Sequence, residues 1–143
     1  MPTDNFVYDA FISYRHREPD QTWVRKVLVP QLDAAGLRVC LDKRDLRMGR
    51  LLIKEMERAV TESRYTVAVL SPAYLDGNFA ELEHLMAEHL GLERKQTRLL
   101  LVMRELCDPR LSLRARLWMD LTQDADLNEN LERLVREIRR SPE

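Results

Sequence analysis

The stretch from Ser71 to Glu83, SPAYLDGNFAELE, carries the residues of this chain best placed for chemistry. Phe79 and Glu83 stand four apart, and on a helix such positions share a face. The stretch follows an apolar run, Tyr65 to Leu70, that reads as a buried strand. The strand brings the chain to one edge of a sheet, and the helix after it presents an acid beside an aromatic ring. Other chemistries find less support. There is no GxGxxG and no GxxxxGK[ST] among the four isolated glycines, which argues against a dinucleotide cradle or a P-loop. A phospho-acceptor receiver needs an acidic pair ending the first strand and an aspartate ending the third, where this chain has Ser13 and Leu70-Ser71. Ser71 lacks the GxSxG elbow of a hydrolase nucleophile. Glu81 and His84 have ExxH spacing, but a di-metal helical site needs a second copy, so no metal site is expected. Glu83 also has an ordinary reading. With Glu81, His84 and Glu88 it lies in a charge-rich helix segment, and such segments usually face solvent.

The elements that must position these residues alternate. Val7–Ser13 reads as the first strand, and Pro19-Asp20 suits a helix start. Trp23, Val24, Val27, Leu28, Leu32 and Ala35 recur at helical spacing up to Gly36, with Pro30 expected to kink that helix. Leu37, Val39 and Leu41 alternate in a second strand ending at Asp42. Leu52, Ile53, Met56, Ala59 and Val60 stripe a second helix closed by Ser63, and Tyr65–Leu70 is the third strand. Ser71 can cap the next turn with Pro72 at its first helical position, and a longer helix is expected over 79–89. Arg98–Met103 and Leu117–Leu121 read as strands four and five, and a last helix is striped by Leu127, Leu131, Leu134, Val135 and Ile138. Trp23 and Trp118 read as core, His16 and His84 as surface.

Strands alternating with helices require crossovers and a parallel sheet. The chain is therefore read as α/β, a three-layer helix–sheet–helix domain with a five-stranded parallel sheet, flavodoxin-like in plan. In such sheets ligands bind beyond the carboxyl ends of the strands. The loops after Ser13, Asp42 and Leu70 should gather there, bringing together Arg15, His16, Asp42, the 43–49 loop and the 71–83 stretch.

Length and composition bound the function. A chain of 143 residues with 45% apolar and 33% charged residues suits one globular domain, taken here as 1–140 with 141–143 as a tail or the start of a linker to a further domain. A formal net charge of -1 argues against a dedicated nucleic-acid binder. Cys40 and Cys107 have no CxxC spacing, which suits a reducing, cytoplasmic setting without disulfides. No apolar run nears the roughly 20 residues that cross a bilayer, so no membrane association is expected.

Three motifs in order resemble the Toll/interleukin-1 receptor (TIR) domains. Tyr8-Asp-Ala-Phe-Ile-Ser-Tyr14 resembles their first box, Leu41-Asp-Lys-Arg-Asp-Leu-Arg-Met-Gly49 their second box and BB loop, and Ser63–Tyr74 the segment entering their third helix. The resemblance covers about residues 6–140 and implies the same five-stranded fold. Within the family some members are scaffolds that self-associate, while others, common in bacteria, cleave NAD+ at the nicotinamide–ribose bond. The enzymatic pattern is an aromatic residue, usually Trp, followed four positions later by Glu. Phe79-Ala-Glu-Leu-Glu83 fills it with Phe for Trp, which keeps the ring and loses the indole N–H. Met48 departs from the Pro that many receptor scaffolds carry before the BB-loop glycine.

The resemblance thus implies a bacterial-type NAD+ glycohydrolase or cyclase with Glu83 as the catalytic acid. It would use no cofactor, take NAD+ as substrate, and act in antiviral defence or effector signalling. The alternative is a scaffold acting through TIR–TIR contacts. Substrate contacts would come from Ser13, Tyr14, Arg15, Asp42, Leu46, Ser71 and Phe79. Phe79 could equally be core, and Asp42 could equally cap a turn. The loop Lys43, Arg44, Asp45, Leu46, Arg47, Met48 and Gly49 is expected to mediate self-association. Its cations, with Arg15 and Arg50, could otherwise face the pyrophosphate.

Overall fold

A computed structural model describes residues 6–41, 52–76, 98–107 and 118–140. The sheet is formed by β1 (Tyr8–Ser13), β2 (Val39–Cys40), β3 (Ser63–Leu70), β4 (Leu99–Met103) and β5 (Met119–Asp120). Its order is β2-β1-β3-β4-β5, and every pairing is parallel. The registers bring Ser13 beside Ala68 and Leu70 beside Met103, so the carboxyl ends of the three central strands form one rim.

Alternation along the strands explains the layers, because successive side chains point to opposite faces. Ala10, Ile12, Tyr65, Val67, Val69 and Val102 join one core cluster. Phe11, Ala68, Leu70, Leu99, Leu101 and Met103 join the other. The first face is covered by the helical run after β1 and by α5 (Leu127–Arg139), through residues such as Leu28, Leu32, Leu131 and Leu134. The second is covered by α3 (Leu52–Glu62) and α4 (Pro72–Asp76), through Ala59, Val60, Tyr74 and Leu75. β3 is buried on both faces for most of its length, as expected of a central parallel strand.

The helical run after β1 has a feature that the sequence foreshadows only as a kink. It consists of α1 (Asp20–Trp23), a π-helical segment (Val24–Leu28) and α2 (Val29–Ala34). The Val29 N–H donates to Val24 O, five residues back. Pro30 cannot donate, and its ring would press on the carbonyl four residues earlier in a regular α-helix. The widened turn just before it fits that constraint. Gly36 ends the run with φ +84, a conformation that L side chains rarely adopt.

α3 passes directly into β3: Glu62 is helical and Ser63 is strand. The last carbonyls of a helix have no partners within it. Arg98 supplies them from the chain just ahead of β4. Its Nη2 donates to Val60 O at 3.1 Å and also to Ser63 O, and its Nε donates to Arg64 O at 3.0 Å. The guanidinium carbon stands 4.8 Å from the Phe6 ring centroid. Asp9, near the start of β1, is held by Arg38 through a 2.8 Å side-chain pair and a 2.7 Å bond from the Arg38 backbone N–H, with Arg64 Nε 3.4 Å away.

Element bounds differ from the sequence reading mainly at the short edge strands. β2 and β5 are two residues each, shorter than the runs read over 37–42 and 117–121. Trp118 corrects an expectation: it is 39% exposed rather than core, because it precedes the outermost strand, where fewer elements pack. Trp23 is buried and His16 is exposed. The expected helix over 79–89 lies outside the described residues, as does His84.

Candidate functional site

The carboxyl rim is knitted together by hydroxyls and carboxylates arriving from several segments. β1 ends at Ser13, whose Oγ is 2.7 Å from Tyr74 Oη in a buried contact. Tyr74 lies on α4, just after β3, and is fully buried; burial raises its phenol well above the ordinary range, partly opposed by the bond to Ser13. The phenol therefore stays protonated and serves as a neutral hydrogen-bonding group. Ser71 faces two ways. Its Oγ donates to Asp20 Oδ2 at 2.6 Å and accepts the Tyr74 backbone N–H at 3.2 Å, capping α4 as its type and position suggest. Arg15 extends from the loop after β1, and its Nη1 donates to Ala73 O at 3.2 Å. The loop after β1, the start of α1 and the segment after β3 are thus tied to one another.

The loop after β4 closes the same rim. The backbone N–H groups of Arg104 and Glu105 donate to Leu70 O at 3.1 and 3.4 Å. Arg104 turns outward: its Nη1 donates to Leu121 O at 2.9 Å and lies 3.3 Å from Asp124 Oδ1, with its guanidinium carbon 4.9 Å from the Trp23 ring centroid.

Four of the site residues identified in the sequence are described. Ser13, Arg15 and Ser71 come together around α4. Tyr14 is buried apart from them, where its Oη accepts from Arg25 Nε at 3.1 Å and its ring lies 4.5 Å from that of His16. Glu83, Phe79, Asp42 and the BB-loop residues Lys43, Arg44, Asp45, Leu46, Arg47, Met48 and Gly49 lie outside the described residues. Three residues of the rim are not singled out as site residues by the sequence. Tyr74 and Asp20 carry a signal, a tyrosine three residues beyond a capping serine and an acid at a helix start. Glu105 carries none.

The arrangement holds the base of the segment that leads toward Glu83. Its described members offer hydroxyls already committed to one another, and no group of three His, Cys, Asp or Glu side chains among the described residues is placed to hold a metal. Two clefts formed by described residues lie elsewhere. One lies between α2 and α5, near Ala35, Leu131 and Arg139, and the other lies beside Trp118, Arg133 and Arg140. Neither is lined by Ser13, Arg15 or Ser71. Among the described residues no helix is long and apolar enough to cross a membrane.

Known proteins match both the fold and the motifs. A family model described as TIR domain matches residues 10–135. Toll-like receptor 13 of Mus musculus is 33% identical over 111 residues, covering 75% of this chain and 11% of the receptor. Protein toll of Drosophila melanogaster is 33% identical over 97 residues, covering 66% of this chain and 9% of that protein. This chain therefore spans about a tenth of the length of these relatives. The crystal structure of the TIR domain of the Toll-related receptor TRR-2 from Hydra magnipapillata superposes with a TM-score of 0.78 at 22% identity, covering 94% of this chain and 100% of that one. These relatives are animal receptors, so similarity supports the family without reaching the bacterial, NAD+-cleaving subtype. With its three motifs in order, its 2-1-3-4-5 parallel sheet and a family match spanning nearly the whole chain, this protein belongs to the TIR-domain family.

Proposed function

We propose that this TIR domain cleaves NAD+ at the nicotinamide–ribose bond, releasing nicotinamide and ADP-ribose or a cyclic isomer. On this reading it is a cytoplasmic enzyme that becomes active on self-assembly, in defence or effector signalling. The observation that carries the reading is Phe79-Ala-Glu-Leu-Glu83, an aromatic-x-x-x-Glu pattern a few residues beyond α4. The base of α4 is tied into the carboxyl rim, the edge at which doubly wound sheets bind ligands.

The chemistry needs little more than a well-placed negative charge. As the glycosidic bond breaks, its electron pair goes to the pyridinium nitrogen, leaving neutral nicotinamide and an oxocarbenium-like ribose. Water, or a nitrogen of the adenine, then bonds to the cationic carbon; when water attacks it gives up a proton. A carboxylate about 4 Å from that carbon stabilises the cation by about 4 kcal/mol at an effective dielectric near 20, before desolvation is counted. That corresponds to about a thousandfold in rate. Glu83 would supply this charge and could also hold the ribose hydroxyls, as carboxylates do in glycosidases. Phe79 would wall the pocket. Arg15 and the cations of the 43–50 loop would face the pyrophosphate.

A second reading has its own support. Toll and Toll-like receptors are among the relatives of this chain, which favours an interaction module working through TIR–TIR contacts without turnover. One experiment separates the two. Protein is mixed with NAD+ with and without enforced clustering, and free nicotinamide is measured for wild type and for Glu83→Gln, which keeps size and removes charge. The enzyme reading expects release under clustering and a loss of about a thousandfold in the variant. No release from clustered wild type overturns it, and undiminished release from Glu83→Gln overturns the role of Glu83.

A further inference from the structure

We propose that the cleft between β5 and α5 binds a nucleoside diphosphate, with the base stacked on Trp118 and the phosphates held by Arg133 and Arg136. The site stands apart from the carboxyl rim and requires nothing of Glu83.

The cleft follows from the place of β5, the outermost strand of the sheet. Trp118 precedes that strand and is 39% exposed. α5 packs over the same edge, and its positions 133, 136, 137 and 140 have the i, i+3, i+4, i+7 spacing that keeps side chains on one face. Trp118 and these four residues line one cleft of about 490 Å3, a volume in the range of small-ligand sites. Leu100 and Leu134 give it an apolar part.

The walls are fixed before any ligand arrives. The Asn130 side chain donates to Asp120 O at 2.7 Å, tying the start of α5 to β5. Tyr65 Oη donates to Arg140 O at 2.6 Å, tying the end of α5 to β3. Met119 and Asp120 are in register with Val102 and Met103 of β4. A cleft held in this way spares a ligand much of the cost of ordering it.

Charge decides what fits. Three guanidiniums and two carboxylates line the cleft, so its sum is +1 in a chain whose net charge is -1. Both carboxylates are engaged. Asp120 Oδ1 accepts from the Thr122 backbone N–H at 2.8 Å and from its hydroxyl at 2.6 Å, and Glu137 Oε2 lies 3.6 Å from Arg140 Nη1. Arg133 and Arg136 are exposed and pair with no carboxylate among the described residues. They stand about 4.5 Å apart along the helix axis, which suits adjacent phosphates. Guanidiniums take phosphate oxygens through paired N–H donors.

Trp118 supplies the other half of the recognition. Arg25, Arg64, Arg98 and Arg104 each lie over an aromatic ring of this protein. The Trp118 ring has no such partner among the described residues, although three guanidiniums share its cleft. Its face is left for a planar group, and a nucleotide base is planar and stacks well on an aromatic side chain. An extended nucleic acid does not suit the net charge of this chain, whereas a single nucleotide needs only the cleft.

The chain has two tryptophans and hence two indole N–H signals, so nitrogen-resolved NMR provides the test. Trp118→Phe assigns them, and the buried Trp23 reports on the fold. ADP is titrated into the whole chain to about 5 mM, alongside adenosine and pyrophosphate, at low and at high salt. ADP is expected to shift the Trp118 signal and leave that of Trp23 in place, with adenosine and pyrophosphate each binding more weakly. Arg133→Gln and Arg136→Gln should each weaken ADP about tenfold, because each removes a charge-assisted contact. Added salt should weaken it as well. A Trp23 signal unchanged in position shows that each variant is folded. No shift at Trp118 by about 5 mM ADP overturns the proposal. A shift confined to Trp23, or an ADP affinity unchanged in both arginine variants, puts the nucleotide elsewhere and overturns it too. Pyrophosphate binding as tightly as ADP overturns the role of the ring and the nucleotide assignment with it.

Discussion

Tyr74→Phe removes one oxygen from the middle of the rim and is the sharpest test of how the rim is held. The ring stays, so packing in the second core cluster is nearly conserved. What goes is the 2.7 Å contact with Ser13, and Ser13 Oγ is left buried without it, in a residue only 7% exposed. A made hydrogen bond contributes about 0.5–1.5 kcal/mol net, whereas a buried polar atom left unmet costs about 1–3 kcal/mol. The single variant should therefore lose about 1–3 kcal/mol, and Ser13→Ala a similar amount. The double variant removes both partners, so it should lose less than the sum, with a coupling of about 1 kcal/mol. Urea unfolding at neutral pH measures all four corners of the cycle, and a melting shift of about 4 °C per kcal/mol offers an independent check for a chain of this size. Additive losses within about 0.3 kcal/mol would show that the two hydroxyls do not depend on one another, and would remove the tie between β1 and α4 from the description of the rim.

Two further outcomes follow from the opposite end of the sheet. Arg98→Met keeps a long apolar stem but leaves the carbonyls of Val60, Ser63 and Arg64 without their guanidinium donor; a loss of about 2–4 kcal/mol is expected in urea unfolding, and a loss below about 0.5 kcal/mol would refute the capping role. For Asp9, burial pushes the carboxyl up, but hydrogen bonds from the Arg38 side chain and backbone, with the charges of Arg38 and Arg64, hold it below its ordinary 3.8. Its stabilising contribution is present above that value and is lost as pH falls through the lower native one, so Asp9→Asn should flatten the acid limb of the stability profile below about pH 4 while costing about 1–3 kcal/mol at neutral pH.

The layers were legible because their causes are local and periodic. The near-continuous apolar run at Tyr65–Leu70 suits a strand covered on both faces, and the spacing of Leu131, Leu134 and Ile138 suits a helix lying on one. Pro30 announced a disturbance in its helix but not its form, because a kink and a widened turn both answer a missing N–H. Ser71 was legible as a cap from its type and from Pro72 after it. Its second bond, to Asp20, was not, because it joins residues 51 positions apart and depends on how two loops meet. The place of Glu105 on the rim was illegible for the same reason: its backbone bond to Leu70 joins two loops far apart in the chain. Trp118 misled because an aromatic residue beside a strand is ordinarily core, and only the strand's place at the edge of the sheet leaves it exposed.

The junction of α3 and β3 has a mechanical consequence. With no loop between Glu62 and Ser63, and with Arg98 bracing the joint, there is no slack to absorb displacement. A load applied to the outer side of that helix is passed to the central strand as to a lever on a fixed pivot. The far end of the same strand is where Ser71 leaves the sheet, so the two ends of the domain are linked by one stiff rod of eight residues.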